Sequence, residues 1–299
     1  MLSIESETAR LYFQLLDYRE RLRIAQNTLK SRDESVNIVS QRLEKGVVPE
    51  IDLNQAVIQQ AEAAVAVPLY EQLSENTIHA LHLLLGESFV ADSLFHGSLK
   101  NQKTPPTIPN IIPSELLQRR PDIMLAEQEL IEQYAVAGMF QSMRFPSLSL
   151  TMAGGVASND LKNLFSGNPA WSLGAGIFGP LFNYGKNKKN AEIELKRIEE
   201  LQANYQQTVL AAFLEVKDVL TEIESYKQQI AIRQIQLDAA LNAAMLSRDR
   251  YNGGVTSYLE LLDSERVLFS TELAVSQTKQ ELLSSYVKLF KALGGGWEN

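Results

Sequence analysis

The chain has 299 residues, enough for one large domain or two ordinary ones, and its 45% hydrophobic and 21% charged content excludes a disordered chain. A net charge of -8 argues against a general nucleic-acid binder, because such proteins carry a basic face. The absence of cysteine excludes disulfides, thiolate metal ligands and cysteine nucleophiles. No apolar run of about 18 residues occurs, so the sequence predicts no transmembrane helix.

The first part of the chain carries the pattern of two long helices. Apolar residues recur at every seventh position over residues 3–45, which predicts a helix with a coiled-coil-like seam. This seam contains Leu15, Leu22, Leu29, Val36 and Leu43 and, four positions earlier, Leu11, Tyr18, Ala25 and Val39. Gly46 marks a turn, and a second helix is predicted over 51–85 with Asp52 as N-cap or first-turn acid. The sequence thus predicts a helical hairpin over residues 1–86.

Prolines punctuate the next segment, residues 87–113, which predicts a linker. A helix capped by Ser114 is then predicted over 114–144. Pro121 lies in the first turns of this helix, and proline disfavours a helix interior because it lacks an N–H and clashes with the preceding turn. We therefore expect a kink or a late start at Pro121.

The pattern changes to a period of two within residues 145–184. Two segments, 145–156 and 171–182, alternate apolar and small residues, which predicts a pair of antiparallel strands. One face carries the apolar row Leu148, Leu150, Met152, Leu173 and Ile177. Length and alternation match membrane-spanning β-strands, and that row would then face lipid. An ordinary amphipathic hairpin in a soluble protein gives the same pattern, so both interpretations stay open here.

The last part of the chain repeats the first. One continuous helix is predicted over 187–252, packed against the other long helices, and a final helix over 257–292 completes a second hairpin within residues 185–294. A shift of 208 residues aligns the two hairpins without a gap. It matches Arg42 with Arg250, and the Gly-Val pair that follows each of these arginines matches as well. The chain therefore contains two copies of one helical hairpin, each turning at a Gly-Val tip.

Patterns that would indicate catalysis or a cofactor are weak in this sequence. The stretch GAGIFG, residues 174–179, has dinucleotide-site spacing, but Pro180 follows where a helix would have to begin. His79 and His82 lie one turn apart on a predicted helix, with Glu75 a turn earlier, and no further metal ligands accompany them. We predict no catalytic residue, no cofactor and no metal site.

The chain resembles the TolC-like outer-membrane efflux channels, and most closely the drug-pump lipoprotein branch that works in tripartite pumps. The resemblance covers essentially all 299 residues. The motifs that carry it are LLQRRPDIMLAEQEL (116–130), RFPSLSLTMAGG (144–155), RYNGGVTSYLELLDSERVLF (250–269) and LFKALGGGW (289–297). It implies a mainly α-helical protein with a small β part, in which long helical hairpins form a periplasmic tunnel. The β-hairpin would belong to a trimeric outer-membrane β-barrel, and 114–144 would be an equatorial helix.

The resemblance also implies roles and partners. Expected partners are two further copies of the chain, a periplasmic adaptor protein, an inner-membrane pump and outer-membrane lipid of a Gram-negative cell, with no nucleic acid. The tip residues that would contact the adaptor are Gly46, Val47, Gly254 and Val255. The acids that would line the closed tunnel mouth are Glu260, Asp263 and, at the repeat position of Glu260, Asp52. The expected activity is passive export of drugs or other small molecules.

The sequence departs from the family pattern at its start. Family members carry a signal peptide, often a lipidated cysteine, a helix and a first β-hairpin before the point that matches Met1. Two strands per chain would give six in a trimer, whereas known closed membrane barrels have roughly eight or more. We therefore expect this chain to be the C-terminal two-thirds of a channel protomer, unable to form the pore alone. The alternative function is a soluble coiled-coil scaffold or interaction protein without a transport role.

Overall fold

The computed structural model describes residues 1–86, 97–103, 118–157, 168–180 and 182–295. Their contacts divide the chain into two compact units, which are 1–120 with 212–299, and 121–211. The described residues are mainly α-helical and include a two-stranded antiparallel sheet. This is the fold class that the sequence predicts.

The first helical hairpin consists of α1 (Leu2–Glu44) and α2 (Glu50–Leu85). α1 contains no glycine or proline, so no residue type in it opposes a continuous run of helical hydrogen bonds. α2 ends at Gly86, whose φ of 70° lies in the left-handed region that terminates helices. Both helices lie within residues 1–86, the range predicted for the first hairpin, and they pack against each other. Most of the predicted linker 87–113 lies outside the described residues, which include a short 3₁₀ turn at Leu99–Asn101.

The unit of residues 121–211 begins with α3 (Pro121–Ser142). Of the kink or late start expected at Pro121, the structure shows a break: Gln118 and Arg119 are helical, Arg120 is not, and the helix resumes at Pro121. Proline is accommodated in a first turn because the N–H groups there have no partner within the helix. The predicted cap Ser114 lies outside the described residues. In the same unit, α3 is followed by the β-hairpin.

The β-hairpin pairs β1 (Ser147–Ala157) with β2 (Asn168–Phe178) in antiparallel register. Leu148 lies opposite Ile177, and Met152 lies opposite Leu173, so the apolar row occupies one face as predicted. The predicted second strand, 171–182, is placed too far along the chain. β2 ends at Phe178, opposite Ser147, because the next pair in register would join Gly179 to Pro146, and neither Pro146 nor the following Pro180 has an N–H to donate.

The second helical hairpin consists of α4 (Lys186–Asn252) and α5 (Tyr258–Ala292). α4 is continuous over 67 residues, as predicted, and contains neither glycine nor proline. From residue 212 onward it packs on α5 around a shared apolar core. The buried members of that core are Val219, Ile223, Leu282, Tyr286, Leu289 and Leu293.

The ends of the helices follow the repeat found in the sequence. α1 ends at Glu44 and α4 at Asn252, while α2 begins at Glu50 and α5 at Tyr258, each pair 208 residues apart. α1 also packs along α5, so it contacts the second hairpin as well as its own partner α2. These two pairs of helix boundaries thus have the same spacing of 208 residues as the repeat in the sequence.

Two distinctive sequence motifs meet at the end of α5. Arg120 donates from Nη1 to a carboxylate oxygen of Glu215 at 2.6 Å and to the carbonyl oxygen of Ala292 at 2.8 Å. Gly294 has a φ of 83°, and a Cβ on it would lie 2.8 Å from the carbonyl carbon of Arg119. The Arg-Arg pair before α3 therefore packs closely against the turn after α5. Glycine is required in that turn because its φ is positive and because a side chain would collide with Arg119.

Candidate functional site: hairpin tips and exposed strand face

The two hairpin tips have the same main-chain geometry. Gly46 and Gly254 have φ angles of 67° and 70°. After each glycine the valine N–H donates at 2.9 Å to the arginine carbonyl oxygen five residues earlier, from Val47 in one tip and Val255 in the other. This is the Schellman ending of a helix, which needs a left-handed residue at the position that glycine fills here. The repeated Gly-Val pair is therefore a repeated turn.

The tip valines project from these turns. Val47 is 68% exposed and Val255 is 71% exposed. The helices just behind the tips pack on one another through a cluster that contains residues of both hairpins, namely Val39, Ala56, Tyr251, Tyr258 and Leu261. The fold therefore brings the two predicted contact tips side by side and presents an apolar side chain on each.

The arginines behind the tips have different partners. Arg42 crosses from the first hairpin to the second, where its guanidinium lies 4.6 Å from the ring centroid of Tyr251 and donates to the Tyr251 carbonyl oxygen at 3.4 Å. Arg250 stays within its own hairpin, with Nε 3.4 Å from a carboxylate oxygen of Glu260. Only Arg42 of this pair therefore ties one hairpin to the other.

The acids predicted for a tunnel mouth lie on the first turns of the returning helices. Glu260 accepts a hydrogen bond from the Thr256 hydroxyl in addition to its contact with Arg250. Asp263, one turn along α5, is exposed and pairs with Arg266 at 2.8 Å. Asp52 lies in the first turn of α2, so of its two predicted positions it takes the first-turn one. Carboxylates in these turns stabilise the helix N-termini.

A tyrosine pair joins the turn regions. The rings of Tyr251 and Tyr258 meet edge to face, with centroids 5.4 Å apart. Burial raises the pKa of Tyr258 to about 12, and the negative charges of Glu265 and Asp52 act in the same direction, against the opposing effect of Arg32. Tyr258 therefore stays neutral at physiological pH and serves as a packed element between the hairpins.

Arg32 is a buried charge that the sequence interpretation missed. It occupies the seam position between Ala25 and Val39 and is only 2% exposed. Its Nη1 donates to the carbonyl oxygen of Gln59, and its guanidinium lies 5.3 Å from the ring centroid of Phe269 on α5. An arginine in an otherwise apolar heptad row is a signal that could have revealed this contact.

Asp17 is a second buried charge, and its burial was not predicted from the sequence. It is 2% exposed, lies 2.7 Å from Arg21 Nη2 and accepts a hydrogen bond from the Ser276 hydroxyl at 2.6 Å. Burial raises the pKa of Asp17, although Arg21 and Ser276 both act to lower it. Asp17 joins α1 to α5, so it too links the first hairpin to the second.

The apolar row of the β-hairpin is open on its outer side. Its side chains have relative exposures between 62% and 78%, and they are Leu148, Leu150, Met152, Leu173 and Ile177. The opposite face carries small residues such as Ser149, whose hydroxyl donates to the Gly176 carbonyl oxygen across the strands at 3.3 Å. Five large apolar side chains on one exposed face form a patch of the kind that marks a membrane or protein contact.

None of the helices within the described residues combines the length and the apolar character required to cross a bilayer. Among the same residues, no three His, Cys, Asp or Glu side chains are grouped so that they could hold a metal ion.

Comparison with known proteins gives matches over nearly the whole chain. Residues 2–87 and 112–295 match the family described as Outer membrane efflux protein. The solvent efflux pump outer membrane protein SrpC of Pseudomonas putida is 33% identical over 299 residues, which cover 99% of this chain and 63% of SrpC. The probable outer membrane lipoprotein SilC of Salmonella typhimurium is 34% identical over 294 residues, covering 98% of this chain and 63% of SilC.

Two solved structures with a similar fold are outer-membrane channels. OprN has a TM-score of 0.92 and 29% identity, with 99% of this chain and 67% of that chain covered. The open state of MtrE from Neisseria gonorrhoeae has a TM-score of 0.89 and 30% identity, with 99% and 66% covered. The chain thus spans a little under two thirds of the length of the curated relatives SrpC and SilC.

Proposed function

Because the chain belongs to the outer membrane efflux protein family, we propose that it forms part of a trimeric outer-membrane channel of a tripartite efflux pump. The channel is a passive duct in the outer membrane of a Gram-negative cell, with its tunnel in the periplasm. It exports drugs or other small molecules, and the energy comes from an inner-membrane pump. No step in this function requires a catalytic residue or a cofactor.

The observation that carries this proposal is the exposed apolar row on the β-hairpin, present on a chain that matches the family along both helical hairpins. A soluble scaffold gains nothing from presenting Leu148, Met152 and Ile177 to water. In a barrel wall the same row faces lipid, while the small residues of the opposite face line the interior. The unpaired outer edges of β1 and β2 then pair with strands of neighbouring segments, because lipid offers no hydrogen bonds to a strand edge.

The tips are the proposed contact with the periplasmic adaptor protein. Gly46 and Gly254 shape the two turns, and Val47 and Val255 supply the exposed apolar side chains. A small apolar knob on a rigid turn can enter a pocket of a partner with little loss of conformational freedom. The two adjacent copies in each chain offer the adaptor a repeated surface.

A complementation experiment tests this function. The 299 residues replace the aligned part of SrpC in a Pseudomonas putida strain that lacks its own SrpC, and solvent tolerance is measured. We expect the chimera to restore tolerance and the double variant Val47→Asp, Val255→Asp to lose it. Val65→Asp is the matched control, since Val65 is equally exposed on α2 away from the tip. Failure of a correctly assembled chimera, or equal activity of tip and control variants, contradicts the proposal.

Spin labels test the membrane assignment of the hairpin. A label at Leu148 of the reconstituted chimera should be accessible to a lipid-soluble relaxant, and a label at Ser149 to a water-soluble one. The two labelled residues are adjacent in β1, and adjacent residues of a strand point to opposite faces of the sheet. The two labels should therefore report different surroundings. Identical accessibility would show that the apolar row does not face lipid and would favour the scaffold.

The gate assignment of Glu260, Asp263 and Asp52 is part of the same proposal. In a trimer, three copies of Glu260 and Asp263 place six carboxylates around one axis, which attracts cations and narrows the lumen. The double variant Glu260→Ala, Asp263→Ala should reduce the cation preference of the chimera in a planar bilayer. Unchanged conductance and selectivity in an intact trimer would leave these acids with only their role at the helix N-terminus.

A further inference from the structure

Positive charge is concentrated where β1 begins and β2 ends. Four exposed cationic side chains lie there, and we name them the basal basic patch: Arg144, Lys186, Lys188 and Lys189. The chain as a whole has a net charge of -8, so the charge of the patch is opposite in sign to that of the chain. Between Glu132 and Glu192 the sequence has a single acid, Asp160, and that acid lies in the segment joining β1 to β2.

Three cations of the patch, Lys188, Lys189 and Arg144, act on one carboxylate, that of Glu192. Lys189 Nζ lies 2.7 Å and Lys188 Nζ 4.0 Å from carboxylate oxygens of Glu192. The pKa of Glu192 is lowered first by its hydrogen bond with Lys189 and then by the charges of Lys189, Lys188 and Arg144. One carboxylate therefore faces several cations, and the patch keeps a net positive charge.

The local backbone holds the two sides of the patch together. The Asn187 side chain donates from Nδ2 to the carbonyl oxygen of Met143 at 2.7 Å, which ties the first turn of α4 to the residue before Arg144. Gly185, with a φ of 77°, makes the turn that brings α4 to this position. The patch is thus a consequence of the turn geometry at the base of the hairpin.

Exposed aromatic side chains accompany the patch. Phe145 lies beside Arg144 in sequence, and Phe182 and Tyr184 follow β2 with their ring centroids 4.6 Å apart. All three aromatic residues are more than two-thirds exposed. Aromatic rings next to basic residues at the end of membrane strands are typical of the bilayer interface, where rings enter the headgroup layer and cations meet phosphate.

The helix macrodipole gives no reason for these lysines, although Lys188 and Lys189 form exposed ion pairs with Glu192. The first turn of α4 contains no acid, and cations at a helix N-terminus oppose the helix macrodipole. The conflict is relieved when negative charge from outside the chain lies against the patch. A surface that is costly to the isolated helix and complementary to an anion points to a ligand rather than to a fold requirement.

We propose that the basal basic patch binds the phosphate headgroups of anionic phospholipids at the membrane surface and so fixes the depth of the β-hairpin in the bilayer. This inference rests on the proposed function, which places the base of the hairpin at that surface. The ligand is a lipid headgroup within a bilayer, since Phe145, Phe182 and Tyr184 provide an apolar anchor beside the charge that a free phosphate cannot use.

Vesicle partitioning tests the inference. The full chain, purified in detergent, is diluted into vesicles of phosphatidylcholine alone or mixed with phosphatidylglycerol, and the bound fraction is measured by flotation. Each lysine near an anionic surface is worth roughly 5-fold in binding, so Lys186→Gln, Lys188→Gln, Lys189→Gln should lower the preference for phosphatidylglycerol by roughly 100-fold. The same variant should melt close to the parent, because the exposed ion pairs with Glu192 that it loses are weak and the lysines oppose the helix dipole.

The control variant Lys30→Gln, Lys45→Gln, Lys217→Gln removes the same charge from exposed positions elsewhere and should retain the preference. Equal binding of the parent chain to both vesicle types, or loss of preference in the control, overturns the inference while the membrane function stands. Binding to neither vesicle type overturns both. Loss of the preference in inorganic phosphate, at ionic strength matched with chloride, identifies a free-phosphate site and also overturns it.

Discussion

The two hairpin tips share one backbone and differ in what their arginines hold. Gly46 and Gly254 make the same turn, yet Arg42 reaches Tyr251 on the neighbouring hairpin and Arg250 contacts Glu260 on its own. The turn depends on main-chain hydrogen bonds, which a duplication copies. The arginine contacts depend on what lies beside each hairpin, which a duplication does not copy.

The same contrast continues along the helices. Asp17 and Arg32 are buried in α1, where they contact residues of α5. Their repeat positions in α4 are Ser225 and Ala240. The buried charges that join the hairpins, Asp17 and Arg32, therefore belong to the first copy, whereas the partly exposed Arg248 of the second copy reaches the Ser31 hydroxyl of α1.

The largest effect is expected from Asp17→Ala. This variant leaves Arg21 half-buried without its carboxylate partner, and breaking a buried pair costs about 3–5 kcal/mol of unfolding free energy. Thermal unfolding followed by circular dichroism measures the loss. Ser225→Ala, the same change at the exposed repeat position, should alter stability by less than about 0.5 kcal/mol. Similar losses in both variants would contradict the assignment of the buried link to the first copy.

The pH dependence of stability provides a second measurement at Asp17. Because burial raises its folded-state pKa, the folded protein binds this proton more tightly than the unfolded chain does. Asp17 thus favours folding fully below its unfolded pKa of about 3.9, and this contribution is lost as pH rises through the folded pKa. Relative to Asp17→Asn, the parent chain should gain stability as the pH falls from neutral. A constant difference between the two melting curves would refute the direction of the shift.

The turn glycines should respond alike. Gly46→Ala and Gly254→Ala each place a side chain at positive φ, which costs about 1–2 kcal/mol. No atom lies within 4 Å of an added Cβ at either position, so the cost is conformational. Gly138→Ala in α3 meets equally open space without a positive φ and should be neutral or mildly stabilising. Unequal losses at the two tips would show that the turns are not equivalent.

The sequence predicts the repeated backbone better than the links between the copies. Both helical hairpins could be predicted from the helical periodicity and the turn glycines, because these patterns involve residues that are close together in sequence. The end of β2 at Phe178 was missed because it depends on the strand register, which sets Gly179 against Pro146, two residues more than thirty positions apart.

The buried links were missed for a related reason. Asp17 and Ser276 are 259 positions apart, and no local sequence pattern around either residue predicts their contact. Arg32 did give a local signal, a charge in an apolar row, but not the identity of its partners. The predicted tip and gate residues rest on family resemblance, and their roles depend on neighbouring chains that no single sequence pattern specifies.

The smallest effect concerns the two arginines. Arg42→Ala removes a cation–π contact and a hydrogen bond between the hairpins, which together are worth about 1 kcal/mol. Arg250→Ala removes an exposed ion pair, whose usual value is about 0–1 kcal/mol. We expect the first variant to melt lower than the second and to expose the tip segments to a protease sooner.

A double-mutant cycle identifies the partner of Arg42. If the guanidinium acts on the Tyr251 ring, Tyr251→Leu should remove most of the effect of Arg42→Ala, giving a coupling energy of about 0.5–1 kcal/mol. The matching cycle of Arg250→Ala with Glu260→Gln should give a smaller coupling that falls further in salt, because exposed charges are screened. Equal couplings in the two cycles would mean that the arginines hold both tips in the same way. The asymmetry between the copies would then be confined to Asp17 and Arg32, deeper in α1.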